Sequence, residues 1–435
     1  MYFLEREGFT LFTSIGRILS FIVVFRYLYL LFLNQRQILL TSFYQLYYMV
    51  GLLISAAVVS GGAYMIEVGA YGTANGFFWV TLAYFFAGIE ATCFGFKSLG
   101  GAAFERKIVA LRWERSRLLI LTICSAAIAA ALYVLATAGS PLLLGIDRVT
   151  FWRINAPQYM SFVPTLVLQT YFLVSYFYLQ SIRKRRNTLV PILMILGYVF
   201  VTIFCLGQKF SAFIIFFDAW LMILSGTSPN FRLKISHVVT ALTIFVGIIA
   251  IIALFYILSG RGASFIFSRI ALQAQLPWSI FDDPHGVRLI PGAEWICYFR
   301  CGWHTNGVDY ISYLYLPMVR YKFYYEHGST LSGFMPALSL STFGFPVSFL
   351  LNVFACFALG VLQRNICYAV RRDNVIVALL LFKMQSGLAL AWFAASLTAL
   401  LSIATAFVLL LGYFLISGFS RQAFSRLHLP NAHKR

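Results

Sequence analysis

Apolar stretches of about 20 residues recur from one end of this chain to the other, the length a helix needs to cross the hydrocarbon core of a bilayer. They fall near 12–33, 40–65, 76–96, 118–138, 161–182, 189–206, 210–226, 238–258, 345–368, 375–395 and 398–418. A transmembrane barrel would show alternating segments of roughly 10 residues instead. The expected architecture is therefore all-α, a polytopic membrane protein of about eleven spans forming a single transmembrane domain over residues 1–435. Composition agrees. Of the 435 residues 61% are hydrophobic and 11% charged, far from the balance of a soluble domain.

The net charge of +19 would suggest nucleic acid in a soluble protein. Here it follows from short connectors that obey the positive-inside rule, and no nucleic-acid partner is expected. The basic connectors "KSLGGAAFERKIVALRWERSR" (97–117), "RKRR" (183–186), "FRLK" (231–234) and "RNICYAVRRD" (364–373) must all be cytoplasmic. An eleven-span count puts every one of them on the same side, together with the basic tail "RQAFSRLHLPNAHKR", and places the N-terminus outside. The opening "MYFLEREGFTLFTSIGR" carries acidic residues and no cleavage site, so no removable signal peptide is expected. Cys93, Cys124, Cys205, Cys356 and Cys367 lie in apolar runs and read as small core residues. Cys297 and Cys301 share an outer segment and could pair in an oxidising compartment.

Residues 259–344 break the pattern of short connectors. Five of the fourteen acidic residues lie there (Asp282, Asp283, Glu294, Asp309, Glu326), with Arg261, Arg269, Arg288, Arg300, Arg320, Lys322, His285, His304 and His327. The stretch "WICYFRCGWHTNGVDYISYLYLP" is too aromatic for a disordered linker. A folded outer loop is expected, with short helices near 264–276 and 308–325.

Its beginning, "SGRGASFIFSRIALQAQLPW" (259–278), raises a question, because arginine near helix ends normally collects on the opposite side. On a helix over 264–276, Arg269 and Gln273 are four apart and share a face. Guanidinium groups grip phosphate through paired hydrogen bonds, and the Gln273 and Gln275 amides suit sugar hydroxyls. The alternative is that the arginines pair with Asp282, Asp283 or Glu294 and hold the loop together. In "LGQKFSAFIIFF" (206–217), Gln208 and Lys209 sit at the outer interface, where the lysine either snorkels to headgroups or faces an anion. In "YYEHGSTLSGFMPALSLSTFGFP" (324–346), Glu326 and His327 are proton acceptors, or else solvated loop residues. Arg17, Arg26, Glu90, Asp218 and Lys383 are charges within spans, where charge is costly; Glu90 and Asp218 are expected either to pair with an arginine or to serve function. The sequence has no phosphate-binding glycine loop, nucleophile elbow or HExxH motif.

"GQKFSAFI" after a span, "RIALQAQLPW" opening a large outer loop and "HGSTLSGFMPALSLSTFGFP" returning to the membrane resemble, in order and across roughly residues 190–400, the O-antigen (oligosaccharide repeat-unit) polymerases of the Wzy type. The resemblance implies a bacterial inner-membrane glycosyltransferase of the C-type superfamily with its site facing the periplasm. Its donor and acceptor would be undecaprenyl-pyrophosphate-linked oligosaccharides, its other partners membrane lipid and a chain-length regulator protein. No cofactor is expected and no metal, because the outer loop is rich in arginine and its acids Asp282, Asp283 and Asp309 show no cation-ligand spacing. Arg269 with His327 or Glu326 would be catalytic, and Arg261, Gln273, Gln275, Lys209, Gln208 and Arg300 would bind substrate. The related O-antigen ligases carry Asn after a loop histidine, whereas His327 precedes Gly328 here. A flippase for lipid-linked oligosaccharide, which needs a polar central cavity rather than a folded loop, is the alternative from another class.

Overall fold

The computed structural model describes residues 2–98, 108, 111, 113–144, 146, 148–207, 211–227, 270–282, 312–326, 338–340, 343–393 and 398–427. The described chain is mostly helical. Its longer elements are α1 (Tyr2–Asn34), α2 (Arg36–Thr41), α3 (Phe43–Ser60), a hairpin of β1 (Tyr64–Met65) and β2 (Ala70–Tyr71), α4 (Phe77–Ser98), α5 (Trp113–Ala138), α6 (Val163–Arg183), α7 (Leu189–Phe200), α8 (Ser211–Thr227), α9 (Gln275–Asp282), α10 (Met318–Glu326), α11 (Phe345–Arg371), α12 (Val375–Phe393) and α13 (Thr398–Leu427).

Seven of these stretches are long and apolar enough to cross a membrane: Ser14–Asn34, Phe43–Ser60, Phe77–Ser98, Trp113–Ala138, Gln158–Arg183, Phe345–Arg371 and Val375–Phe393. Leu189–Cys205, Phe213–Thr227 and Ala399–Leu415 are shorter apolar helices. The expected span at 238–258 lies outside the described residues. The outward faces carry large apolar side chains, among them Phe94, Leu118, Phe354 and Leu401, each at least 66% exposed. Water would not tolerate that surface on a monomer, and lipid does. This is a membrane-embedded protein.

One boundary differs from the sequence expectation. The run 40–65 does not stay helical to its end: α3 stops at Ser60, Gly62 takes a left-handed φ of 93°, and the chain turns into the hairpin. Hydropathy cannot see this, because "AYMIEV" is as apolar as a helix end but β-branched and aromatic. The strands pair antiparallel, Tyr64 opposite Tyr71 and Met65 opposite Ala70. Gly72 then packs backbone to backbone on α3, where a Cβ would stand 2.0 Å from the Val59 carbonyl oxygen.

Among the described residues most buried apolar side chains fall into two clusters. One joins α5, α6, α7 and α8 through Cys124, Ala127, Phe172, Tyr198 and Met222. The other joins α3, α4 and α9 through Leu53, Phe77, Phe85, Leu276 and Trp278. α11 and α12 belong to both, with Ile366 and Phe382 in the first and Cys356 and Phe393 in the second. The five cysteines expected in the core are all buried.

The most extensive helix pair is α4 with α11, which run parallel. Two glycines permit it. A Cβ on Gly95 would lie 2.2 Å from the Phe357 carbonyl oxygen, and one on Gly360 would lie 2.1 Å from that of Thr92. Thr92 Oγ1 donates to the Cys356 carbonyl at 3.1 Å, and Gln45 Nε2 of α3 donates to Thr92 Oγ1 at 2.9 Å. Asn352 Nδ2 donates to the Tyr84 carbonyl at 3.1 Å, and Trp392 Nε1 of α12 donates to Asn352 Oδ1 at 2.9 Å. In lipid such close approach and interhelical bonding replace the hydrophobic drive that water supplies.

The bundle has two distinct ends. Lys97, Arg183, Lys184, Arg364 and Arg371 gather where α4, α6 and α11 finish, and Asp373 there holds Lys184 at 3.0 Å and Arg183 at 3.4 Å. The hairpin and the starts of α4 and α11 mark the other end. Gly360→Val should cost about 3 kcal/mol by forcing α4 and α11 apart, whereas Gly412→Val, with nothing within 4 Å of its Cβ, should be neutral. Thermal unfolding of the two purified variants checks this, and equal midpoints would contradict the contact.

Candidate functional site

The helix expected over 264–276 is interrupted. Residues 272–274 form a turn, and α9 begins at Gln275. Pro277 supplies the reason: it has no N–H for the carbonyl four residues back, and its ring collides with that carbonyl, but it fits the first turn of a new helix. The Trp278 amide bonds the Ala274 carbonyl at 2.8 Å, and the Ala274 amide bonds Ser55 Oγ of α3 at 3.0 Å. Pro317 divides the expected 308–325 helix into a short helical stretch at 312–315 and α10, whose Tyr321 amide reaches the Pro317 carbonyl at 3.0 Å.

α9 lies under the hairpin, and Gln275 to Ile280 are all buried. Gln275 Oε1 accepts the Glu67 amide at 2.8 Å. Trp278 Nε1 donates to the Thr73 carbonyl at 3.0 Å, Asn75 Nδ2 donates to the Trp278 carbonyl at 3.3 Å, and Thr73 Oγ1 donates to Asp282 Oδ1 at 3.2 Å. Asn75 Oδ1 meanwhile caps α4 by accepting the Phe77 amide at 3.2 Å. α9 thus satisfies the Glu67 amide in the hairpin turn and the Thr73 carbonyl that follows β2, as burial requires.

Two further pieces of the 259–344 segment reach the same end. Ser339 Oγ lies 2.8 Å from Ser348 Oγ of α11, which accepts the Tyr84 hydroxyl of α4 at 2.7 Å. Pro317 lies 3.7 Å from where a Cβ on Gly69 would be, at the hairpin turn. From there α10 presents exposed Arg320 and Lys322, while Tyr321 is buried.

Of the residues singled out from sequence, Gln273 and Gln275 are placed. Gln273 sits in the turn against α3, its Oε1 2.9 Å from where a Cβ on Gly51 would be. Gln275 holds the hairpin through Oε1, and its Nε2 has no partner among the described residues. Glu326 ends α10. Arg261, Arg269, Arg300, His327, Gln208, Lys209, Cys297 and Cys301 lie outside the described residues.

The charges within spans resolve differently from expectation. Glu90 does not pair with an arginine; its carboxylate accepts the Tyr27 hydroxyl of α1 at 2.6 Å. Asp218 is buried and accepts the Tyr44 amide at 3.2 Å, beside the Gln385 amide. Arg17 Nη1 donates to the Ala57 carbonyl at 3.1 Å, placing a cation at the last turn of α3, where the helix dipole favours it. Arg26 is exposed and Lys383 half-buried midway along α12.

Sequence reasoning missed Glu67, Thr73 and Asn75. Their signal was the turn-rich "GGAYMIEVGAYGTANG" (61–76), which reads as a helix end and connector until its partner in α9 is known. Chemically, this end combines buried amides with exposed cations, a pairing suited to an anionic, hydroxyl-rich ligand. Among the described residues no group of three or more His, Cys, Asp or Glu side chains could hold a metal ion.

Gln275→Ala removes the acceptor for the Glu67 amide. The loss of a buried partner costs about 1–2 kcal/mol, so hydrogen exchange at that amide should quicken by about tenfold. Unchanged exchange across 64–73 would show that α9 does not hold the hairpin. No protein-family model, curated protein or solved structure matches this chain.

Proposed function

We propose that this chain is an O-antigen repeat-unit polymerase of the bacterial inner membrane, with the hairpin end facing the periplasm and the basic end the cytoplasm. The observation that carries the reading is the convergence of three pieces of the 259–344 segment on one end of the bundle, two on the hairpin and one on the start of α11, opposite Lys97, Arg183 and Arg371. A long polar connector built into a cap over apolar helices suits a reaction at the membrane surface between two lipid-linked substrates. It is also where the sequence resemblance concentrates.

In this reading the acceptor sugar hydroxyl attacks the anomeric carbon of the growing glycan, held on undecaprenyl pyrophosphate. A new glycosidic C–O bond forms, the bond to the pyrophosphate oxygen breaks, and the bonding pair leaves with the pyrophosphate. Arg261, Arg269 and Lys209 stabilise the charge that develops there, which is worth most when the donors are already in place. His327 or Glu326 takes the hydroxyl proton. Gln273, Gln208 and Arg300 contact the sugars, while Gln275 keeps the cap closed and offers only its Nε2. The leaving pyrophosphate makes a nucleotide sugar unnecessary. The O-antigen ligase and flippase readings differ in what the cell accumulates.

Deleting the gene from its host should collapse the surface-glycan ladder on a gel to a single repeat, and restoring the wild-type gene should rebuild it. Arg269→Ala should insert normally yet leave the single repeat, with a rate about 10²–10³ lower. Arg269→Lys should recover part of the ladder, because an ammonium keeps the charge and loses the two-pronged grip. Surface glycan absent altogether after deletion would point to ligase or flippase. A full ladder from Arg269→Ala would leave that arginine as a loop-holding ion pair.

A further inference from the structure

At the basic end, α2, α4 and α11 enclose a cleft of about 300 Å³ whose lining includes Gln37, Phe96, Lys97, Arg364, Tyr368 and Arg371. Among the described residues three cations face it and no carboxylate lines it. The ion pairs among the described residues both go to Asp373, which is engaged by Arg183 and Lys184. The cleft cations are instead oriented by neutral groups. Arg364 Nη1 donates to the Lys97 carbonyl at 2.9 Å, and its Nε and Nη2 donate to the Tyr368 hydroxyl at 3.1 and 3.0 Å. Arg371 Nε reaches the Gly226 carbonyl at 3.4 Å. Both guanidinium groups lie over the Tyr368 ring, 5.4 and 5.5 Å from its centre.

Cations that merely follow the positive-inside rule extend into water and need no scaffold. Here two guanidinium groups are fixed about one tyrosine, a like-charge arrangement with no carboxylate among the described lining residues. Such an arrangement is stable when an anion completes it, and phosphate oxygens match the guanidinium fork. The same two helices, α4 and α11, also carry exposed apolar side chains before they reach the cleft. Phe94 and Phe354 are each 66% exposed, and Phe94 packs on Phe357 with ring centres 5.9 Å apart. Acyl chains would run along that surface while the headgroup sits among the cations, the arrangement by which basic pockets between spans hold anionic lipids.

We propose that this cleft binds a phosphate-bearing anion, the headgroup of an anionic phospholipid, at the end of the bundle away from the cap. The site does not depend on the glycan-transfer reading.

The test uses the full chain, purified in micelles doped with phosphatidylglycerol or with phosphatidylcholine, and counts retained lipid by native mass spectrometry. The wild type should keep phosphatidylglycerol about tenfold better than phosphatidylcholine, and Arg364→Gln/Arg371→Gln should lose about that factor. Arg185→Gln/Arg186→Gln removes the same charge from exposed positions at the same end and should retain the lipid. Lys97→Gln changes an exposed side chain that takes no part in the scaffold, and should weaken retention a few-fold. It decides the matter if the double variant fails to elute as a folded monodisperse protein. In a second arm millimolar inorganic pyrophosphate is added. Displacement of the lipid identifies phosphate itself as what the cleft reads, and resistance to displacement identifies the whole headgroup at the membrane surface; both uphold the site. Equal losses in the two double variants, or equal retention of the two lipids by the wild type, would overturn it.

Discussion

The backbone contact between α4 and α11 is the constraint on which the rest of the molecule depends. In lipid, an apolar helix face gains nothing by meeting another apolar face, so association must come from close packing and from polar groups with no other partner. Gly95 and Gly360 remove the side chains that would keep the two backbones apart. Thr92 and Asn352 then reach across, and Gln45 and Trp392 tie α3 and α12 to the pair. Each such interhelical bond contributes about 0.6 kcal/mol on average. Their main effect is to fix the register, since a slip along the axis would break all of them and set glycines against side chains.

That register determines what stands at each end. Toward the start of both helices, Tyr84 of α4 meets Ser348 of α11, and Ser339 joins them from the long connecting segment. Toward their finish, Lys97 of α4 receives Arg364 of α11. The hairpin completes one end, because Gly72 lets it lie on α3 while Gln275 and Trp278 satisfy its backbone from the other side. The same parallel pair therefore carries the proposed substrate cap at one end and the proposed lipid cleft at the other.

Much of the helical scaffold was legible in the sequence because spanning a bilayer demands a long apolar run, and such runs are visible without knowing what they touch. The seven helices of crossing length fall on expected spans. What was not legible depends on partners. The end of α3 was read five residues too far, because Gly61 and Gly62 stop the helix only by virtue of a hairpin that α9 must complete. The breaks at 272–274 and at Pro317 were present in the sequence as prolines, but periodicity alone joined the helices across them. Glu90 and Asp218 were expected either to pair with an arginine or to serve function; a tyrosine hydroxyl and a backbone amide hold them, groups that no pattern of charges reveals. Of the candidate site, Gln275 was found for its polarity, and the structure gives it a scaffolding bond that spacing could not foretell.

The central claim, glycan transfer from one polyprenyl pyrophosphate to another, is tested most directly with the purified protein and a single defined lipid-linked repeat unit. Incubation without nucleotide sugar and in the presence of EDTA should yield lipid-linked glycans of increasing length, with one free undecaprenyl pyrophosphate released for each bond formed. A lipid-linked repeat that stays one unit long under those conditions, in a preparation that retains its fold, would contradict the account.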